Sequence, residues 1–213
     1  HIKMSVKGIN MIQASDIHMV LHAVAVKKGA ENGIIRALTR LPEKSFSLAL
    51  EHALLTEKVS DVEGRYFLTA AGHMIVGAEY SRYYGELRAD AEFLDEYEKF
   101  EVINVDLKSV ITSWQMIEVA GALVANDHTD KSYDSKIIDR LGELHDRFES
   151  ILDGIIKFVP RFVFYQEKLL AALESAEDGE IQWVSDAKIE SYHTIWFEMH
   201  EDLLRIVGRE RPE

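Results

Sequence analysis

Cysteine is missing altogether from this chain of 213 residues, which removes disulfides, thiol nucleophiles and cysteine-type zinc sites at once. No uncharged apolar run reaches the roughly 18 residues that a spanning helix needs, so no membrane segment is expected. The N-terminus lacks a basic stretch followed by an apolar one, and a secretory signal is therefore not expected either. The opening His1-Ile2-Lys3 before Met4 is expected to be an expression remnant. Together these absences point to a cytoplasmic protein. Several enzymatic signatures are missing too: a Gly-x-Gly-x-x-Gly turn after a strand, a phosphate-binding Gly-Lys-Ser/Thr loop, a Gly-x-Ser-x-Gly elbow and a His-Glu-x-x-His helix. No catalytic residue, metal or cofactor is assigned on sequence grounds, and an enzyme is not the leading expectation.

What is present is acid, unevenly placed. The formal net charge is −13, and the hydrophobic content of 47% is enough to bury a proper core. Residues 16–85 hold eight Lys/Arg against eight Asp/Glu, whereas residues 86–213 hold 14 against 29. A field of that sign repels nucleic acid, so any DNA contact must come from the neutral N-terminal block, doubled in a dimer.

The segment Ala30 to Tyr84 reads as helix, turn, helix, short β-ribbon, helix. Ahead of it, Asp16 is suited to cap a helix through His18, Val20, Leu21 and Val24, ended by Lys27-Lys28-Gly29. A second helix spans about Glu31 to Thr39, and Pro42 starts a third carrying Phe46, Ala49, Ala53 and Leu54. Val59 to Leu68 forms two β-prone runs around Glu63-Gly64, and Thr69 is placed to cap the next helix. Beyond Asp90 the pattern is helical, with apolar residues three and four apart. Helices are expected over about Ala91 to Ile117, Tyr133 to Phe158, a stretch after Pro160, and Ala187 to Val207, with a polar connection over residues 120–132. The expected fold is mainly α with a small β-wing: an N-terminal winged helix-turn-helix (14–85) followed by an α-helical bundle (90–208), a four-helix effector or dimerisation domain.

The run Arg65-Tyr66-Phe67-Leu68-Thr69-Ala70-Ala71-Gly72 is similar to the aromatic-x-Leu-Thr-x-x-Gly ending of the wing in MarR- and PadR-type regulators, and residues 16–85 resemble those proteins. The whole chain also resembles an actinobacterial-type group with a winged N-terminus and a helical tail, through Asn126-Asp127-His128-Thr129-Asp130 and the run from His193 to Leu204; that likeness implies no activity. The first resemblance implies that the third helix enters the major groove and the wing touches the backbone. On that basis Lys44, Ser45, Ser47, His52 and Arg65 are the expected DNA-binding residues. The helix also presents Glu43 and Glu51, whereas DNA readers usually show arginine or several polar donors there.

The strongest polar cluster of the tail lies on the last helix: Glu190, His193, Glu198, His200, Glu201 and Asp202 around Trp196 and Phe197. Glu190 and His193 form a Glu-x-x-His pair, but a di-iron bundle needs a second such pair and the chain has none. A mononuclear site could join His193 and His200 with His128, Asp127 or His145. The plainer alternative is that these histidines hydrogen-bond within a helix–helix interface. His18 and His22 form another pair four residues apart, open to the same two readings. Asn126, Asp127, His128, His193, Trp196 and His200 are the expected ligand-binding residues, bordering a pocket for a small-molecule effector.

Three functions follow as expectations. The first is a ligand-responsive winged-helix transcriptional regulator binding DNA as a homodimer. The second is a non-catalytic accessory subunit docking on a protein partner, such as a phosphoenolpyruvate-utilising enzyme, through the winged fold. The third is a metal-dependent enzyme using His193, Glu198 and His200.

Overall fold

Residues 13–210 are described by a computed structural model, so the His1-Ile2-Lys3 segment lies outside them. The protein is mainly α-helical, 73% helix, with two small antiparallel β-sheets. It divides into two compact units, one ending at Tyr83 and the other beginning at Tyr84.

The N-terminal unit begins with α1 (Ala14–Lys27), preceded by Gln13. Asp16 is therefore not the cap; it sits inside the first turn, where its charge favours the positive end of the helix. Lys28 turns left-handed to end α1, and β1 (Ala30–Glu31), α2 (Asn32–Thr39) and α3 (Glu43–Leu55) follow. Pro42 immediately precedes α3, as its fixed φ favours. Val20, Leu21, Ile35, Leu38, Phe46, Ala49 and Ala53 are buried where α1 packs on α2 and α3. Strands β2 (Val59–Val62) and β3 (Arg65–Leu68) pair antiparallel with Val59 opposite Leu68 and Val62 opposite Arg65. Glu63 and Gly64 both have positive φ, +54° and +80°, the signature of the hairpin turn whose twist matches its strands. The sheet order is β1-β3-β2, so the expected two-stranded ribbon gains a third strand where a helix start was read.

Helix α4 (Ala70–Tyr84) leaves β3 through Thr69, whose Oγ1 accepts from the Gly72 amide at 3.1 Å. The glycine of this run has a steric reason. A Cβ on Gly72 would lie 2.0 Å from the Lys58 carbonyl oxygen, a backbone atom that also accepts from the Thr69 amide at 3.1 Å. Gly72→Ala must push α4 off β2, and we expect a loss of about 1–3 kcal/mol. All three tryptophans lie after residue 84, so urea unfolding should show an earlier far-UV transition while tryptophan fluorescence stays put. Coincident, unshifted transitions would refute this. His18 and His22 face α4: His18 Nδ1 meets Glu79 at 3.1 Å, His22 Nδ1 meets the Tyr80 hydroxyl at 2.9 Å, and the His18 ring stacks on Tyr83 at 4.2 Å.

The C-terminal unit has four long helices among the described residues: α5 (Ala91–Gln115), α6 (Lys131–Phe158), α7 (Val163–Glu177) and, after the single-turn α8 (Gln182–Ser185), α9 (Tyr192–Val207). Asp90, Asp130 and Ser191 cap α5, α6 and α9 through their side chains. Phe93 meets Phe158, Phe100 meets Phe148 and Ser113 meets Tyr133, so α5 and α6 run antiparallel. The core between them includes Phe100, Leu107, Leu141, Phe148, Tyr192 and Trp196.

Two expectations need correction here. The first helix stops at Gln115, and residues read as a helix end and a polar connection form a hairpin, β4 (Met116–Val119) and β5 (Ala122–Ala125). Ala120 and Gly121 at its turn both have positive φ, +52° and +83°, and β-branched Ile117, Val119 and Val124 suit strands. The last helix begins at Tyr192 and not at Ala187, because the Ser191 hydroxyl accepts from the Thr194 amide and fixes the start there.

Candidate functional site

In the N-terminal unit, Lys44 and Ser47 are exposed on α3, and Ser45 and His52 are half-buried on the same helix. Arg65 begins β3, and its guanidinium turns back to donate to the Gly29 carbonyl at 2.7 Å. Arg36 pairs with Glu43 at 3.4 Å at the start of α3. Glu43, Glu51, Asp61 and Glu63 are exposed on α3 and the hairpin, together with Leu55 at 77% and Val62 at 53%. This face is acidic and partly apolar.

In the C-terminal unit the six expected ligand residues fall into two groups. His193, Trp196 and His200 line a small cavity of about 50 Å³ against Asn104, Leu107 and Ile111 of α5. Its chemistry is already occupied by protein contacts. Trp196 is 2% exposed, stacks on Phe100 at 5.3 Å and donates from Nε1 to Asn104 Oδ1 at 3.1 Å. His200 Nε2 meets Glu101 Oε1 at 2.8 Å, and the Tyr97 hydroxyl donates to the same oxygen at 2.6 Å. Burial works to raise the Glu101 carboxyl, but the Tyr97 hydroxyl and then His200 outweigh it and hold Glu101 below the usual carboxylate range. Burial likewise pushes the Tyr97 hydroxyl above its ordinary value, with Glu101 adding to the effect.

The second group is built around the start of α6. Asn126 Nδ2 donates to the Trp114 carbonyl at 3.0 Å and to Asp134 Oδ1 at 3.0 Å, and its Oδ1 accepts from the His128 amide at 3.1 Å. His128 Nδ1 also lies 3.1 Å from Asp134 Oδ1. Asn126 Nδ2 also lies 3.2 Å from His128 Nδ1, so Asn126, His128 and Asp134 form one polar cluster at the start of α6. The backbone of His128 adopts φ +58°, and its ring leans on Trp114 at 4.5 Å. Asp127, by contrast, serves its own turn: Thr129 donates to it from both hydroxyl and amide, which holds its carboxyl below the usual range.

No protein-family model, curated protein or solved structure matches this chain. The geometry must therefore carry the functional reading alone.

The residues weighed for a metal are dispersed. His145 is buried with Nδ1 3.1 Å from the Tyr192 hydroxyl, and burial favours its neutral form. Glu190 receives Lys168 Nζ at 2.5 Å, and Asp202 is held by Arg161 and Tyr165. Among the described residues no three His, Asp or Glu side chains converge as a metal site. Sequence reasoning missed Asp134 as the partner of His128. The available signal was an acid in the first turn of α6, one helical turn after the capping Asp130.

Proposed function

We propose that this chain is a non-catalytic binding protein whose N-terminal unit is a winged helix-turn-helix used to dock on another protein. The observation that supports it is the order α1, β1, α2, α3, β2, β3 with β3 central in the sheet. That order sets α3 and the β2–β3 hairpin as the presented elements. A DNA reader needs cations there to displace counterions from phosphate. Here four exposed carboxylates, Glu43, Glu51, Asp61 and Glu63, accompany exposed Leu55 and Val62. Lys44 and Arg65 are exposed beside them, two cations against the four acids, and the Arg65 guanidinium also donates to the Gly29 carbonyl. Such a face suits a partner surface that is basic and apolar, and protein interfaces are built around apolar cores with polar rims.

The transcriptional regulator is the competing reading, supported by the same topology and by Lys44, Ser45, Ser47 and His52 on α3. Two measurements separate them. Affinity purification from the native cell should yield one stoichiometric partner, lost when Leu55→Glu and Val62→Glu are combined. Fluorescence anisotropy against its own upstream DNA should show only weak, sequence-indifferent binding that vanishes with added salt. Nanomolar, sequence-selective DNA binding reduced by Lys44→Ala and Ser47→Ala would overturn docking in favour of the regulator.

A further inference from the structure

A cavity of about 290 Å³ opens beside His128, lined also by Trp114, Ile181, Gln182, Ser185 and Asp186. Its volume is at the lower end of small-molecule sites. Asp186 is the acid in its lining: it spends Oδ1 on the Lys188 amide at 2.8 Å and keeps its second carboxylate oxygen. Gln182 donates one amide N–H to Glu180, and Ser185 adds a hydroxyl. Among the described residues no lysine or arginine lines this cavity.

Ile181 is shared with a second cavity of about 470 Å³, whose lining includes Asp134, Asp139 and Glu177 against the single cation Lys131. Asp134 is 2% exposed, and its Oδ2 has no hydrogen-bond partner among the described residues. A buried carboxylate oxygen left this way is costly and favours a donor arriving from outside the chain. Asp134 thus links the two cavities: one oxygen orients His128 at the first, and its side chain borders the second.

We infer that these cavities form a site for a small aliphatic diamine. One ammonium group donates to the Asp186 carboxylate beside His128, the alkyl body lies along Ile181, and the second ammonium faces Asp134, Asp139 and Glu177. The class follows from the charges: a carboxylate or phosphate ligand would face these four carboxylates with Lys131 as the opposing cation in the two linings, whereas a cation at each end is attracted to them. This site lies wholly in the C-terminal unit and is independent of the docking proposed for the other.

Isothermal titration of the full chain with putrescine, with 1,4-butanediol and butyrate as controls, tests it. We expect saturable one-to-one binding of putrescine and none of the controls. Asp186→Asn keeps the turn to Lys188 and removes the charge, and it should weaken binding at least tenfold, as should Asp139→Asn at the other end of the site. Unsaturable putrescine binding, affinity unchanged in Asp186→Asn, or equal binding of butyrate would overturn the inference and show only counterion attraction to an acidic surface.

Discussion

Arg161→Ala is expected to destabilise the C-terminal unit by about 3–5 kcal/mol. Arg161 lies just ahead of α7 and is 5% exposed, and Asp202 on α9 is 0% exposed. The guanidinium holds both Asp202 oxygens, and Tyr165 donates its hydroxyl to Oδ2 at 2.9 Å. Burial opposes the arginine's charge, but Asp202 outweighs it and holds Arg161 above its ordinary value. Removing the cation leaves the buried Asp202 carboxylate without its counter-charge, which is why the loss greatly exceeds that of an exposed pair. The exposed Arg147–Asp106 contact at 3.0 Å is the comparison, since Arg147→Ala should cost no more than about 1 kcal/mol. Urea unfolding followed by tryptophan fluorescence reads the C-terminal unit alone, because Trp114, Trp183 and Trp196 all lie there. Equal midpoints for the two variants would show that the buried pair contributes nothing beyond a surface contact. Arg161→Met combined with Asp202→Leu should recover part of the loss, since no uncompensated charge then remains.

Trp196→Ala is the second large effect, also about 3–5 kcal/mol. The indole lies between Phe100, Phe148 at 4.4 Å and Tyr192 at 6.1 Å, so truncation opens a cavity among α5, α6 and α9. It also strands Asn104 Oδ1, which accepts from the indole at 3.1 Å and is itself buried. Trp196→Phe keeps most of the packing and loses the donor. Its cost should fall near 1–2 kcal/mol, and the gap between the variants measures packing against the hydrogen bond. Far-UV circular dichroism is the readout here, since the indole is the altered group. A wild-type midpoint for Trp196→Ala would mean that the helical core does not depend on this side chain.

Much of the local structure was legible because its causes are local. Pro42, the Glu63-Gly64 turn and Thr69 each act on backbone within a few residues, and each element they bound is found close to where their chemistry sets it. The Gly72 position was legible only as a pattern; its reason is the Lys58 carbonyl, fourteen residues earlier in the chain and in contact only after β2 pairs with β3. The β4–β5 hairpin escaped because its Ala120-Gly121 turn lacks the Asn or Asp that usually marks positive φ, and the helical period before it ran on without a visible stop. The candidate ligand residues were read as one pocket because His193, His200 and the Asn126–Asp130 loop are all polar. Folding separates them: Glu101 and Asn104 take up the first set, while Asp134 organises the second.

The amino-acid order by itself determined the helical periods, the hairpin turn of the N-terminal unit, the Thr69 cap and the concentration of acid after residue 86, since propensity, capping and charge are properties of neighbouring residues. Tertiary structure alone decided which polar groups spend their hydrogen bonds inside the protein. Arg65 turning to Gly29, Arg161 meeting Asp202 and Asp134 meeting His128 join residues from different elements, and burial makes the Arg161–Asp202 partnership obligatory.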